Sequence, residues 1–505
     1  MTVRELLQAF ITALPPRERP QLPEDARSLD VTCSGVAYDS RRVREGSVFV
    51  ALKGVNADGV AFAPQAIASG ASAIVAERAP DQPMSVPWVA VGNARVALAL
   101  LAAEFFGHPS REMRVVGITG TNGKTTTSYV TSAIFEAAGV RTGLMGTVTY
   151  RIGDRALDAT RTTPEAPDVQ ELMRQMVASG CGACVMEVSS HALALHRVDG
   201  VQFAAAVFTN LTRDHLDFHA DMEDYFAAKR RLFEILPADA PAVINIDDPR
   251  GETLVATVRR PVTYAIGKAA DVTPGPMTYS LAGLRFDVRL PQGIVRVQSK
   301  LVGKPNAYNI LAAVATTASL GVPLEAIERG LSGLAGVPGR FEVVSAATDD
   351  VTVVVDYAHT DDALRNLLET ARAMAPRRIV TVFGAGGNRD RTKRPLMGMV
   401  AARLSDVVVI TSDNPRNEDP MRIIDEVRLG ADSETRQSNA QVLTIADRRE
   451  AIVQAVGQAS RGDVVLVAGK GHEKYQEIGG RTFPFDDVAV AREALEARRV
   501  KSRVG

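Results

Sequence analysis

Residues 115–127 read Val-Val-Gly-Ile-Thr-Gly-Thr-Asn-Gly-Lys-Thr-Thr-Thr. An apolar run enters a glycine-rich turn, and the residues beyond the turn can open a helix. Gly120 and Gly123 let the backbone fold so that successive N–H groups face one point, which suits a phosphate. A helix N-terminus directly behind the turn adds positive potential there. Lys124 can bridge the β- and γ-phosphates of a nucleotide, and the Thr125 hydroxyl can ligate Mg²⁺. The general phosphate-loop pattern places a glycine five residues before Gly123, where this chain has Ile118, so the loop is a variant. It marks residues 120–126 (Gly120, Thr121, Asn122, Gly123, Lys124, Thr125 and Thr126) as a nucleoside triphosphate site. It does not name a reaction, because kinases, motors and switches use such loops as well.

Other residues could act on that nucleotide. Val185-Met-Glu-Val-Ser-Ser-His191 ends an apolar run on Glu187, and a carboxylate at a strand end beside a phosphate loop suits a hard cation. Thr209-Asn-Leu-Thr-Arg-Asp-His-Leu-Asp217 brings His215 after a further run. Lys229, in Tyr225-Phe-Ala-Ala-Lys229, reads on its own as a solvated helix lysine. Asp413-Asn-Pro-Arg416 reads on its own as a turn, but Arg416 could grip a carboxylate with two parallel hydrogen bonds. Cys181 and Cys184 form a C-x-x-C with no second pair, and Cys184 opens an apolar strand, so both read as small core residues. Gly384-Ala-Gly386-Gly387 lacks dinucleotide-loop spacing and reads as a turn supporting Arg389.

The elements that must position these residues fall into three stretches, as a chain of 505 residues leads one to expect. Residues 1–110 carry short strand-like runs (48–52, 73–76, 88–91), a small-residue helix pattern at 63–69 and an alanine-rich helix at 94–106. Residues 111–338 alternate apolar runs (115–118, 143–148, 184–188, 204–209, 242–246, 262–266) with helical stretches, the pattern of buried parallel strands. Residues 277–298 look antiparallel, a helix follows at 306–320, and the Gly- and Pro-rich stretch 333–339 reads as a boundary. Residues 339–505 repeat the alternation at 351–355, 379–383, 407–411, 442–445 and 464–468. The fold class expected is α/β in three domains: a small N-terminal α/β unit, a central P-loop-type parallel sheet and a C-terminal Rossmann-like domain.

A formal net charge of −1 gives no general basic field for nucleic acid, so phosphate binding should be local. Three cysteines argue against a secreted disulfide scaffold. The N-terminal apolar run is broken by Glu5 and Gln8 and reads as an amphipathic helix, not a signal peptide. No stretch reaches the ~18 apolar residues of a membrane span. A cytoplasmic location is the expectation, with no obligate protein partner evident.

Taken together, the variant loop and the motifs at 185–191, 209–217 and 225–229 resemble the Mur ligase family, whose members build the peptide stem of the cell-wall precursor. The resemblance covers nearly the whole chain and is strongest to members that add a diamino acid. It implies ATP and Mg²⁺ as cofactors, with Glu187 and His215 at the metal site beside Thr125. It implies that Lys229 is carbamylated and helps hold a second Mg²⁺. Pro305-Asn-Ala-Tyr-Asn309 matches the family's asparagine pair, Asn306 and Asn309, near adenine, where donor and acceptor are both needed. Arg340 matches an arginine near the phosphates, and Asp356-Tyr-Ala-His359 the C-terminal contribution to the ATP site, with Asp356 on the nucleotide and His359 positioning the acceptor. Because these lie on a different stretch from the phosphate loop, the site should form in a closing cleft.

The same resemblance assigns a UDP-linked muramoyl dipeptide to Tyr38, Ser40 and the loop Val55, Asn56 and Ala57. It adds Thr162, Thr163, Ser189 and Arg197. Leu195 departs from a glutamine of some relatives. Asp413, Asn414, Pro415 and Arg416 match the family's diaminopimelate motif, joined by Arg389, Gly469 and Glu473. Lysine lacks the distal carboxylate and would leave Arg416 unpaired. The expected activity is ATP-dependent addition of meso-diaminopimelate to the D-glutamate γ-carboxylate of UDP-MurNAc-L-Ala-D-Glu through an acyl phosphate. A lysine-adding or folate-type sister ligase, a P-loop motor or switch and a non-catalytic scaffold remain the alternatives.

Overall fold

The computed structural model describes residues 1–22, 27–54, 57–80 and 82–504, the side chains of 435–438 and 501–504 excepted. The helix Val3–Ala13 starts on a capping box between Thr2 and Glu5 and buries Val3, Leu6, Leu7 and Phe10. That face covers a four-stranded parallel sheet whose strands lie in chain order: Gly35–Ala37, Ser47–Val50, Ala71–Ala76 and Trp88–Ala90. Alternate residues serve two cores. Val48, Val50, Ala73 and Val75 meet the helices Val3–Ala13 and Ala94–Phe105, while Phe49 and Ile74 meet Ala63 and Ala66 on the other face. Burial on both faces is why the runs are continuously apolar.

The central sheet has eight strands in the order Pro261–Tyr264, Ala242–Asn245, Ala205–Phe208, Arg114–Thr119, Ala183–Glu187, Thr142–Met145, Thr149–Ile152 and Arg155–Asp158. The first six are parallel and the last two add an antiparallel hairpin. Arg114–Thr119 sits where the chain order reverses, so its carboxyl end opens between two neighbours that lead apart. Such a switch point is where ligands bind in open α/β sheets. A small antiparallel sheet centred on Gly283–Leu290 and Gly293–Ser299 alternates buried and exposed residues and packs its apolar side on the helices Lys304–Ser319 and Leu324–Gly333.

The C-terminal sheet runs Glu342–Val343, Thr352–Asp356, Val464–Ala468, Ile379–Phe383, Val407–Ile410 and Gln441–Thr444, parallel except for its first strand. Val464–Ala468 is inserted between two strands that precede it in sequence, which makes a second switch point. A fully buried ion pair, Arg448 with Asp487 at 2.7 Å, lies behind it, and Arg448 also donates to the Ala468 carbonyl at 2.9 Å. The α/β class and the strand runs are those expected. The hairpins Thr149–Ile152/Arg155–Asp158 and Tyr475–Ile478/Arg481–Pro484 were not anticipated. Among the described residues no helix is long and apolar enough to cross a membrane.

Candidate functional site

The strand Arg114–Thr119 delivers the loop at residues 120–123, and the helix Lys124–Ala137 leaves it. Gly120 has φ +145° and Gly123 φ +89°, and a Cβ on Gly120 would lie 1.9 Å from Thr209 Oγ1. The loop is braced by the next strand end. Thr209 Oγ1 donates to the Asn122 carbonyl at 2.6 Å, and Asn210 Oδ1 accepts from the Asn122 N–H at 2.9 Å. Lys124 donates to the Gly120 and Thr121 carbonyls, both at 2.9 Å. Burial lowers its pKa, opposed by the charges of Glu187 and Asp214.

Glu187 is buried at the end of the adjacent strand. Its carboxylate accepts from the Thr125 hydroxyl at 3.0 Å, the Thr147 hydroxyl at 3.1 Å and the Thr147 N–H at 2.9 Å. Two hard oxygen donors thus meet at the loop, a set that fits Mg²⁺ with phosphate and water completing its shell. Among the described residues no cluster of three or more His, Cys, Asp or Glu could hold a metal alone.

The helix Met222–Glu234 carries Tyr225 and Lys229 one turn apart on one face. The reading of Lys229 as a solvated lysine fails: it is 1% exposed. Its Nζ donates to the Gly120 carbonyl at 2.8 Å and stands 4.3 Å from the Tyr225 ring centre. Burial, then repulsion from Lys124 on the same carbonyl, drives its pKa well below the ordinary value. The helix stripe Tyr225, Phe226, Leu232, Phe233 already showed this, since Lys229 falls on its apolar side. His215, at φ +56°, packs its ring 4.9 Å from His191 and 5.9 Å from Tyr225. Burial holds His215 and His191 neutral, with pKa values pushed down to about 3 and about 4.

The C-terminal stretch closes on this loop. Arg340 Nη2 donates to Thr125 Oγ1 at 3.1 Å while its guanidinium lies 4.4 Å from the Tyr357 ring centre. Asp356 ends its strand behind Arg340. Its carboxylate accepts the N–H groups of Phe341 at 2.6 Å and Ala358 at 2.8 Å, which fixes the turn bearing Arg340. His359 gives its Nδ1 proton to the Tyr357 carbonyl at 2.9 Å and turns Nε2 toward Asp214, 3.9 Å away. Asp362 accepts from Asn122 at 2.9 Å. Asn306 and Asn309 are buried side by side at 3.0 Å, and a Cβ on Gly123 would lie 2.4 Å from Asn309 Oδ1, so the pair backs the phosphate loop. Thr126 is buried on the same helix turn.

Around the threonine pair, Thr163 donates to the Glu187 carbonyl at 2.8 Å and Thr162 contacts Thr147 at 3.1 Å. Ser189 caps the helix Ser190–Ala194. Arg197 donates to the Thr163 carbonyl at 3.0 Å and pairs with Glu165 at 2.8 Å. Tyr38 donates to Asp168 at 2.9 Å beside Arg42, at the edge of a cavity of about 490 Å³ that also touches Arg161 and Pro164. Ser40 is buried and donates to Gln65 at 3.1 Å, and Ala57 is exposed. Val55 and Asn56 lie outside the described residues.

At the C-terminal switch point, Asp413–Arg416 follows the strand Val407–Ile410 and meets the loop after Val464–Ala468. Lys470 is fully buried and donates to Asn414 Oδ1 at 2.9 Å and Glu473 at 3.2 Å, with Asp413 at 3.6 Å. Asn414 in turn donates to Glu473 at 2.8 Å. Gly469, φ +114°, has no room for a Cβ beside Asp413. The Pro415 carbonyl seats on Gly387, Arg416 Nη1 donates to the Gly387 carbonyl at 2.8 Å, and Arg389 is exposed close by. Sequence reasoning missed Thr147, Asp214, Tyr357, Asp362 and Lys470. Asp214 stood next to the histidine it accompanies and Tyr357 inside a quoted motif. Cys181 and Cys184 are buried free thiols, as expected.

A glycine turn that leads into a helix and holds Lys124 beside Glu187, met by Arg340 from a second α/β stretch with its own buried charge cluster, fits a nucleotide-dependent group-transfer enzyme of the ligase kind. The chain belongs to the Mur ligase family. The family's catalytic domain matches residues 32–106, the Mur ligase middle domain 118–317 and the Mur ligase glutamate ligase domain 339–471. A protein of Solibacter usitatus named UDP-N-acetylmuramoyl-L-alanyl-D-glutamate--2,6-diaminopimelate ligase is 48% identical over 95% of this chain and 96% of its own length. One of the same name from Gloeobacter violaceus is 47% identical over 94% and 96%. A solved structure under that name has 34% identity and a TM-score of 0.70 over 99% of both chains. A folylpolyglutamate synthase of Mycobacterium tuberculosis, at 19% identity and TM-score 0.62, covering 79% of this chain and 94% of its own, shares the fold.

Proposed function

We propose that the chain is an ATP-dependent ligase that joins meso-diaminopimelate to the D-glutamate γ-carboxylate of UDP-MurNAc-L-Ala-D-Glu, in the cytoplasm. The observation that supports this is the Arg340–Thr125 hydrogen bond, which joins the C-terminal stretch to the helix leaving the glycine turn. The relatives' names support the substrates.

In this reading the γ-carboxylate attacks the γ-phosphorus of ATP, ADP leaves, and an acyl phosphate forms. An amine of diaminopimelate attacks the acyl carbon, phosphate leaves and the amine loses a proton. Lys124 and Arg340 hold phosphate oxygens as charge develops, and no protein nucleophile is needed. Mg²⁺ on Thr125 and Glu187 would neutralise phosphate charge. Lys229 is proposed to carry a carbamate: its buried amine attacks CO₂, a C–N bond forms, and a proton leaves. The anion so formed would join His215 in holding a second ion. His359 is assigned to positioning the acceptor. Asn306 and Asn309 are assigned to adenine and Asp356 to bracing Arg340. Tyr38, Ser40, Ala57, Thr162, Thr163, Ser189 and Arg197 are assigned to the UDP-linked substrate. Arg389, Asp413, Asn414, Arg416, Gly469 and Glu473 are assigned to diaminopimelate. Residues 1–110, 111–338 and 339–505 are proposed as domains, each built on its own large sheet.

The test is phosphate release with ATP, Mg²⁺ and UDP-MurNAc-L-Ala-D-Glu, with meso-diaminopimelate or L-lysine as acceptor. Release that requires diaminopimelate, with the product mass to match, is expected. ATP hydrolysis indifferent to either acceptor would sink the ligase reading in favour of a switch.

A further inference from the structure

Arg416 is held by its backbone as well as its side chain. It has φ +53°, its N–H donates to the Glu477 carbonyl at 3.0 Å, and its own carbonyl accepts from Gly479 at 2.7 Å. The strand Tyr475–Ile478 is thereby bound to the Asp413–Arg416 turn, and the Glu477 N–H is further anchored on Asn414 Oδ1 at 3.0 Å. The guanidinium spends Nη1 on the Gly387 carbonyl, and its Nε lies 3.3 Å from Glu477 Oε2. A carboxylate binds a guanidinium best through two parallel N–H groups of one edge. With one Nη1 N–H committed, the edge whose two N–H groups donate to no backbone carbonyl is the one formed by Nε and Nη2, and Glu477 stands at its Nε. The Glu477 side chain is 33% exposed, so it can turn toward water while its backbone stays in place.

We propose that Glu477 is a specificity-determining residue: its carboxylate is a built-in partner for Arg416 that competes with the distal carboxylate of the amino-acid substrate. The inference rests on the ligase reading above and changes one of its consequences. Lysine does not leave Arg416 unpaired, because Glu477 stays on it. Diaminopimelate must displace Glu477 to reach the same edge. Glu477 therefore weakens diaminopimelate binding and softens the rejection of lysine.

The experiment compares the full chain with Glu477→Gln, which keeps size and strand hydrogen bonds but removes the charge, and with Glu477→Asp, which keeps the charge. Phosphate release is measured against meso-diaminopimelate and L-lysine with the other substrates saturating. Expected for Glu477→Gln is a lower KM for diaminopimelate and a rise of roughly two- to fivefold in its kcat/KM relative to lysine, the size of a part-exposed ion pair. Glu477→Asp should keep the ratio near that of the parent chain. A Glu477→Gln ratio that is unchanged or lower overturns the proposal even when the parent chain prefers diaminopimelate. A parent chain that ligates neither amino acid overturns the functional reading, and this proposal with it.

Discussion

At the phosphate loop two lysine amines, Lys124 and Lys229, share the Gly120 carbonyl, and among the described residues neither forms an ion pair with a carboxylate. At the C-terminal switch point three buried cations have their anions. Lys470 meets Glu473 and Asp413, Arg448 meets Asp487, and Arg394 meets Glu418 and Glu426. Both sites sit at the carboxyl ends of parallel strands, yet they prepare for ligands differently. The first leaves Lys124 without a carboxylate partner among the described residues, so an anionic phosphate chain supplies a partner on binding. The second compensates its own charges, so a zwitterion must exchange partners one for one. The first arrangement favours affinity and catalysis, and the second favours discrimination.

The contrast breaks if Lys124 proves structural. Lys124→Ala should reduce phosphate release by at least about 10²–10³-fold, the cost of losing one donor to developing charge. Its thermal midpoint should hold or rise, because burying the Lys124 charge opposes folding. A fall in the midpoint of several degrees with activity retained would invert the comparison.

Arg394→Met tests the other side. Arg394 is fully buried and bonds Glu418 at 2.9 Å and Glu426 at 2.7 Å. Removing one partner of a buried network costs about 3–5 kcal/mol, because the remaining charges are left facing each other. Urea unfolding should show that loss, and the phosphate loop should still bind ATP. Arg416→Ala is expected to be smaller and selective. It should raise the KM for diaminopimelate by about 1.5–3 kcal/mol, the worth of a hydrogen bond to a charged group, with little change in the KM for ATP. Equal losses for both substrates would show that Arg416 supports the cleft as a whole.

The two sites also differ in how far they could be read from sequence. The phosphate site was legible because its parts are contiguous: strand, glycine turn and helix occupy residues 115–127, and the motifs bearing Glu187 and His215 each end an apolar run. The C-terminal charge cluster was half legible. Asp413–Arg416 and the Gly469–Glu473 loop were evident, but the hairpin beyond them was not, since Arg481–Pro484 is exposed throughout and shows no apolar alternation. Without the hairpin, nothing connects Glu477 with Arg416. The helix lysine at 229 was misread because residue type was weighed without its place on the apolar stripe. Asp356 and Thr163 take their expected ligand roles from their motifs, and their side chains also hold backbone groups of the protein.

The smallest effect separates the two regions by pH. Glu418 is pushed down to about 2, chiefly by its hydrogen bonds from Arg394, against a burial effect in the other direction. Its folded pKa lies below the ordinary 4.5, so the folded state favours the ionised carboxylate. The stability it contributes is therefore complete above about pH 4.5 and is lost as pH falls toward 2. Solvent screening limits this to about 1 kcal/mol. Lys229 and Lys124 have lowered values, so protonating them opposes folding, and the phosphate side gains nothing from acid either. What distinguishes the regions is Glu418→Gln. That change should lower urea stability at pH 7 and flatten the loss between pH 4.5 and 2.5. If the slope of stability against pH in that window is the same in both chains, the compensated network is not what holds the C-terminal pocket in shape.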